Sequence, residues 1–191
     1  MDRRDLLKMI VAATGAALVG LPALAQGPLP AAPANNSFSD ADVATLDEIA
    51  DTILPRTKTP GAKDAATGLF MAQFVTGCYT PKQQASFRAG LADIDKRAGG
   101  RFVSLTPQAR TELLRALDGE ARKKADEVSK AGDAEAAEPT LHPFTMIKQL
   151  AIFGYFTSKI GATEALQFVA VPGRYDGDVA YVPGTPAWAT S

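Results

Sequence analysis

The sequence is short of the side chains that most often carry chemistry. It has one cysteine, Cys78, and one histidine, His142, in 191 residues. That shortage excludes an intramolecular disulfide and a four-cysteine iron–sulfur cluster within the chain, and it leaves no basis for a Cys/His structural zinc site. Any Ser/His or Cys/His nucleophilic pair would have to use His142, which precedes Pro143 and reads as a capping or packing residue at a helix start. No G-x-G-x-x-G follows a strand, and neither a C-x-x-C-H haem attachment nor a P-loop is present. Catalytic, cofactor-binding and metal-ligating residues are therefore expected to be none. An excess of either charge is missing too, with 20 Lys and Arg against 21 Asp and Glu. A protein that neutralises phosphates needs a cationic face, so a nucleic-acid partner is excluded. From Met9 to Ser39 there is no charged residue at all.

What is present is enough for one domain of ordinary size. The chain is 46% hydrophobic and 21% charged, which supports a buried core rather than general disorder. Its start, Arg3-Arg4-x-Leu6-Leu7-Lys8, precedes an uncharged run through Leu21 and then Pro22-Ala23-Leu24-Ala25. A charged segment, an apolar segment and a small-x-small site make a secretory signal, with cleavage expected after Ala25 because the peptidase admits only small side chains at Ala23 and Ala25. The paired arginines and Leu6-Leu7-Lys8 resemble a twin-arginine (Tat) address, which is read by the Tat translocase and exports folded proteins to the periplasm. An ordinary Sec signal and an uncleaved N-terminal anchor are the alternatives. Cleavage removes three positive charges and two negative ones, leaving 17 against 19 from the totals of 20 and 21. Residues 26–38 read as a Pro/Ala-rich linker.

The remainder, 39–191, reads as mainly α: a domain of about five helices with an extended, irregular C-terminal arm. Ser39 before Asp40 and Asp42 opens a first helix that runs to Pro55. A second is expected over 64–78, with Leu69, Phe70, Phe74 and Val75 inward. Thr80-Pro81-x-Gln83 opens a third, with Phe87, Leu91 and Ile94 buried and Gly99-Gly100 as the stop. Thr106-Pro107 opens a fourth with Leu113, Leu114 and Leu117 inside; its charged end, 120–130, reads as solvated, and 131–139 as an Ala/Glu loop. A last helix runs from Pro143 to Lys159 through Met146, Ile147, Leu150, Phe153 and Phe156. From about 167 to 191 the helical period is lost. Asp47, Glu48 and Asp51 read as a solvated helix face. Cys78 reads as a buried, inert thiol, with an intermolecular disulfide as the alternative.

Two segments carry a resemblance. Ile53-Leu54-Pro55-x-Thr57-x-Thr59-Pro60-Gly61-Ala62 is one. The other is Gly154-Tyr155-Phe156-Thr157-Ser158-Lys159-Ile160-Gly161-Ala162-Thr163-Glu164-Ala165-Leu166, followed by Val171-Pro172-Gly173-x-Tyr175-x-Gly177. In this order, they resemble the gluconate 2-dehydrogenase subunit 3 family, the small subunit of periplasmic sugar dehydrogenase complexes. The resemblance implies a non-catalytic subunit without a cofactor of its own. Its partner would be a large flavoprotein of the glucose-methanol-choline (GMC) type that holds FAD, and a multi-haem cytochrome c subunit can complete such complexes. The small subunit supplies the export signal and helps the flavoprotein mature, and the complex can be membrane-associated. The resemblance spans gluconate, glucose, 2-ketogluconate and glycoside 3-dehydrogenases, so it does not transfer a substrate.

The resemblance implies a partner interface at Pro60, Gly61, Tyr155, Phe156, Ile160, Pro172, Gly173 and Tyr175, with Trp188 added from the aromatic-bearing arm. Some relatives carry a cysteine just after the Tyr-x-Gly segment, where this chain has Asp178; Cys78 is then the one residue available for a covalent tether. The competing function classes are a standalone enzyme, which would show its own flavin absorbance and dehydrogenase activity, and a free periplasmic binding or interaction protein, which would purify alone as a stable monomer.

Overall fold

The computed structural model describes residues 37–131, 142–171, 173, 177–178, 180 and 182–189. The leader at 1–25, nearly all of the linker and most of the 131–139 loop fall outside them. The described chain is mainly helical: α1 (Asp40–Ile53), α2 (Thr67–Cys78), α3 (Pro81–Arg97), α4 (Pro107–Ala131) and α5 (Pro143–Thr157), with a 3₁₀ turn at Phe102–Ser104 and a π-turn at Gly161–Ala165.

Four of the five helices begin on local chemistry. The Ser39 hydroxyl accepts from the Asp42 amide at 3.2 Å, and the Asp42 carboxylate accepts from the Ser39 amide at 3.0 Å. Thr80 and Gln83 repeat this capping box at α3, and Pro81 takes the first helical position. The Thr106 hydroxyl caps α4 by accepting from the Ala109 amide at 3.3 Å. At α5 the His142 Nδ1 accepts from the Phe144 amide at 3.2 Å. The sole histidine is thus a cap.

The start of α2 differs from the expected 64. Residues 62–66 turn instead, and Ala66 takes a left-handed backbone conformation with φ of 50°. An L-residue with a Cβ enters that region at a cost of roughly 1–2 kcal/mol, and the surrounding bonds hold it there. Met71, Ala72 and Val75 of α2 face the core, while Leu69, expected inward, is left 40% exposed. Phe70 and Phe74 are half-buried and meet Phe153 of α5 with ring centroids 6.0 and 5.8 Å apart. Phe153, expected inside, is 48% exposed at the rim of that aromatic group.

Helix α5 packs against all four other helices. Phe144, Met146, Ile147, Leu150, Ala151, Gly154 and Tyr155 are buried along one broad face of it, while Gln149, Phe153 and Thr157 on the other side are exposed. Leu46, Ile49, Phe87, Ile94, Phe102 and Leu117 complete the interior. Phe38, inside the segment read as linker, belongs to the core. Phe38 is 7% exposed, meets Phe87 edge-on at 6.0 Å, and carries the Arg88 guanidinium over its ring at 4.0 Å. As expected, residues 122–129 of α4 are exposed.

Ion pairs fasten the helices at the surface. Arg97 of α3 forms a two-pronged contact with Glu120 of α4 at 2.6 and 3.0 Å. Lys148 of α5 donates to Asp118 of α4 at 2.6 Å, and Arg122 reaches the same carboxylate at 3.0 Å. The Lys148 bond is the main cause holding the Asp118 carboxyl below its ordinary value, and Arg97 does the same for Glu120. A carboxylate depressed in the folded state contributes stability above its unfolded value, near about 4, and loses it as pH falls through the folded value. Asp118→Asn should therefore lower the melting temperature at pH 7 by the few degrees that a surface network of at most about 1 kcal/mol allows. The gap from wild type should close as the pH is taken below 3, as read from melts across a pH series.

Candidate functional site

The two distant motifs meet at one corner of the domain. The first leaves α1 and turns back on itself: the Ala62 amide donates to the Leu54 carbonyl at 2.9 Å, and the Thr57 amide to the Thr59 carbonyl at 3.0 Å. Thr67 closes the far end, its hydroxyl donating to the Ala62 carbonyl at 2.7 Å. The second motif arrives on α5, where the Tyr155 hydroxyl donates to the Pro60 carbonyl across 95 residues of chain. Burial raises the Tyr155 phenol above its ordinary value, so it is a secure donor at neutral pH.

An acidic stripe on α1 holds the turn. The Asp47 carboxylate accepts from the Gly68 amide at 2.7 Å, and Glu48 pairs with both Lys63 and Arg110. Asp51 sits behind Gly61, where an added Cβ would fall 2.6 Å from the Arg56 amide nitrogen and 2.8 Å from an Asp51 carboxylate oxygen. Nothing larger than glycine fits that approach. These acids were read as a solvated face; the structure instead uses Asp47 and Glu48 as partners for the 61–68 backbone and for two cations. Burial pushes Asp47 up from its ordinary value, with the Gly68 amide opposing the shift. Asp64 moves the other way. The Gly61 amide and Arg56 both favour its charged form, so its carboxyl lies below the ordinary value.

Beyond α5 the second motif sets the direction of the arm. The Ser158 hydroxyl donates to the Tyr155 carbonyl at 2.6 Å and accepts from the Gly161 amide at 2.9 Å. Gly161 lies so close to the Tyr155 carbonyl that a Cβ there would overlap it. The π-turn then closes with the Leu166 amide donating to the Gly161 carbonyl at 3.0 Å. Ala165 packs on the core, and the arm departs from Leu166.

The corner brings together four of the residues expected at an interface: Pro60, half-buried; Gly61, buried; Tyr155, 3% exposed; and Phe156, half-buried, with its ring 5.0 Å from that of Tyr155. Tyr155 and Gly61 face inward and shape the corner. Ile160 is half-buried, Gly173 is exposed and Trp188 is 57% exposed. Cys78, expected to be a buried thiol, is exposed at the end of α2. Pro172 and Tyr175 lie outside the described residues, as do Arg3, Arg4, Leu6, Leu7 and Lys8, expected to form an export signal, and Ala23 and Ala25, expected at a cleavage site. The Asp47–Gly68 and Glu48–Arg110 links had no local signal in the sequence, because each joins residues 21 or more positions apart.

Chemically, the corner offers hydrogen bonds that fix a backbone. A cavity of about 230 Å³ between α1, α4 and α5, lined by Thr52, Thr111, Arg115, Asp118 and Lys148 among others, is below the ~300–1,000 Å³ common for small-molecule sites. Among the described residues no group of three or more His, Cys, Asp or Glu side chains is placed to hold a metal ion. Tyr155→Phe removes the donor to Pro60 and leaves a half-buried carbonyl short of a partner. The expected loss is about 1–2 kcal/mol of unfolding free energy, measured by urea denaturation with an unchanged m-value.

The comparison with known families converges on this arrangement. A family described as Gluconate 2-dehydrogenase subunit 3 matches residues 40–173, from the first residue of α1 into the arm, and so includes the first motif, the second as far as Gly173, and every helix between them. No curated protein and no solved structure matches the chain. With the match extending over most of its length, and the two motifs joined in one corner of a helical body, the chain belongs to the gluconate 2-dehydrogenase subunit 3 family.

Proposed function

We propose that this protein is the non-catalytic small subunit of a FAD-dependent sugar or sugar-acid dehydrogenase complex, and that it escorts the flavoprotein of that complex through the Tat pathway. Membership in a subunit family implies other subunits. The finer reading takes the catalytic partner to be a GMC-type flavoprotein that holds the FAD, with a multi-haem cytochrome c as a third component and the periplasm as the destination.

The observation that carries the reading is the twin-arginine pair, Arg3-Arg4, on a chain of this family. A pathway for folded proteins suits a passenger whose cofactor is inserted before export. The corner is consistent with the same role, because Pro60, Phe156 and Ile160 sit on a backbone held by Tyr155, Asp64 and Ser158 rather than on a loose loop. Exposed Cys78 is available to a partner's thiol in an oxidising compartment.

Replacing both Arg3 and Arg4 by Lys tests the escort directly. In cell fractions, the small subunit and the flavoprotein should both be retained in the cytoplasm, and periplasmic dehydrogenase activity should fall at least about tenfold. Continued export of the flavoprotein alongside that variant would overturn the reading. The exported wild-type chain should begin at Gln26 by N-terminal sequencing.

A further inference from the structure

Three helices part around the cavity of about 230 Å³. Thr52 and Ile53 line it from the end of α1, and Phe144 and Lys148 from the start of α5. Thr111, Leu114, Arg115 and Asp118 line it from α4, at the three- and four-residue spacings that share one helix face.

The lining divides by chemistry. Leu114 and Phe144 are buried and Ile53 is half-buried, which gives the cavity an apolar wall. The Thr52 hydroxyl donates to the Glu48 carbonyl at 2.7 Å, and the Thr111 hydroxyl to the Pro107 carbonyl at 2.9 Å, each one turn back along its own helix. Both hydroxyl protons are spent there, so the side-chain donors left to the cavity are its two cations, Arg115 and Lys148.

These cations are not equally engaged. The Lys148 ammonium gives one bond to Asp118 at 2.6 Å and keeps two N–H groups. Arg122 also donates to Asp118, at 3.0 Å, so that carboxylate is answered twice. Arg115 is answered by nothing. Of the seven arginines among the described residues, Arg56, Arg88, Arg97, Arg101, Arg110 and Arg122 each donate to a carboxylate, hydroxyl or carbonyl oxygen. Arg115 alone among them donates to none. Glu112, one turn before it on α4, accepts from Gln108 at 3.1 Å instead. The lining thus holds two positive charges against one negative, with the surplus beside an apolar wall.

A guanidinium presents paired N–H donors that match the two oxygens of a carboxylate. Phosphate also suits arginine, but a dianion exceeds the single surplus charge and gains nothing from Leu114 and Phe144. The volume is too small for a nucleotide or a flavin and admits a compact molecule. We propose that this cavity binds a small monocarboxylate with an apolar body, its carboxylate on Arg115 and Lys148 and its body against Ile53, Leu114 and Phe144. Ile53 apart, the site shares no residue with the two motifs, and it does not depend on which subunits accompany the chain.

The test titrates benzoate into the isotopically labelled full chain and follows the backbone amides by NMR. Benzoate should bind with a Kd of about 1 mM, the range open to so small a ligand, and move the amides of Leu114, Arg115 and Phe144. Benzamide has the same shape without the charge and should bind about tenfold more weakly. Arg115→Met keeps a long apolar stem, removes the charge and should weaken benzoate about fivefold, while Arg115→Lys should recover part of the loss. Thr111→Leu fills the space and should abolish the shifts. Melting temperatures within a few degrees of wild type show that the variants fold. No movement of these amides up to about 20 mM benzoate overturns the proposal. So does benzoate binding that Arg115→Met leaves unchanged, and so does inorganic phosphate binding as tightly as benzoate, because the apolar wall would then contribute nothing.

Discussion

Burial of the broad apolar face of α5 is the constraint that the rest of the domain answers to. A helix carrying Phe144, Met146, Ile147, Leu150 and Tyr155 on one face cannot turn that face to water without losing roughly 1.5–3 kcal/mol for each large side chain uncovered. The other four helices all touch it, and the surface ion pairs, Arg97 with Glu120 and Lys148 with Asp118, lie around that assembly rather than within it. Tyr155 is the one polar tip near the end of this apolar rod. It needs a partner, and the Pro60 carbonyl supplies it. The junction of the two motifs follows from satisfying a hydroxyl that central packing would otherwise strand.

The corner and the arm are therefore parts of one mechanical sequence. α1 presents the Asp47 carboxylate to the Gly68 amide at the end of the 61–68 turn, Pro60 just before that turn presents its carbonyl to Tyr155, and the Tyr155 carbonyl takes the Ser158 hydroxyl that positions Gly161. Each step is a hydrogen bond to main chain, which is how a few side chains can hold irregular backbone in place without a large core beneath it. In a protein proposed to act by contact, a fixed departure point for the arm matters more than a cavity.

How much of this was readable in advance divides along local and distant chemistry. The starts at Ser39, Thr80, Thr106 and His142-Pro143 were legible because a capping side chain and the amide that donates to it lie within three residues of each other. The inward faces of α3 and α5 followed from the helical period, Phe153 excepted. The start of α2 was not legible: Ala66 carries no side-chain cap, and its left-handed backbone is held by Thr67 and by Asp47, a residue from another helix. Leu69 faces outward because Met71, Ala72 and Val75 take the core side of α2. Asp47, Glu48 and Asp51 looked solvated because periodicity reports which face a residue shares, not what comes to lie against it. The two motifs announced that they mattered, while their meeting through Tyr155 and Pro60 depended on how the helices pack. Cys78 was misjudged for a simpler reason: an apolar neighbourhood in sequence is a poor guide to burial at the last residue of a helix.

Gln167 and Trp188 form an isolated parallel bridge, and that bridge separates two rates of change. The free energy of closing a loop grows only with the logarithm of its length, so doubling the span between Gln167 and Trp188 would cost about 0.6 kcal/mol. The helical body tolerates far less: a Cβ at Gly61 or Gly161 collides with backbone. Sequence between the two ends of the bridge can lengthen, shorten or exchange its apolar residues while the five helices keep their packing. The chain thus holds a conservative frame and a replaceable insert, joined at a single residue, and related subunits can diverge in what they fit without refolding what they are.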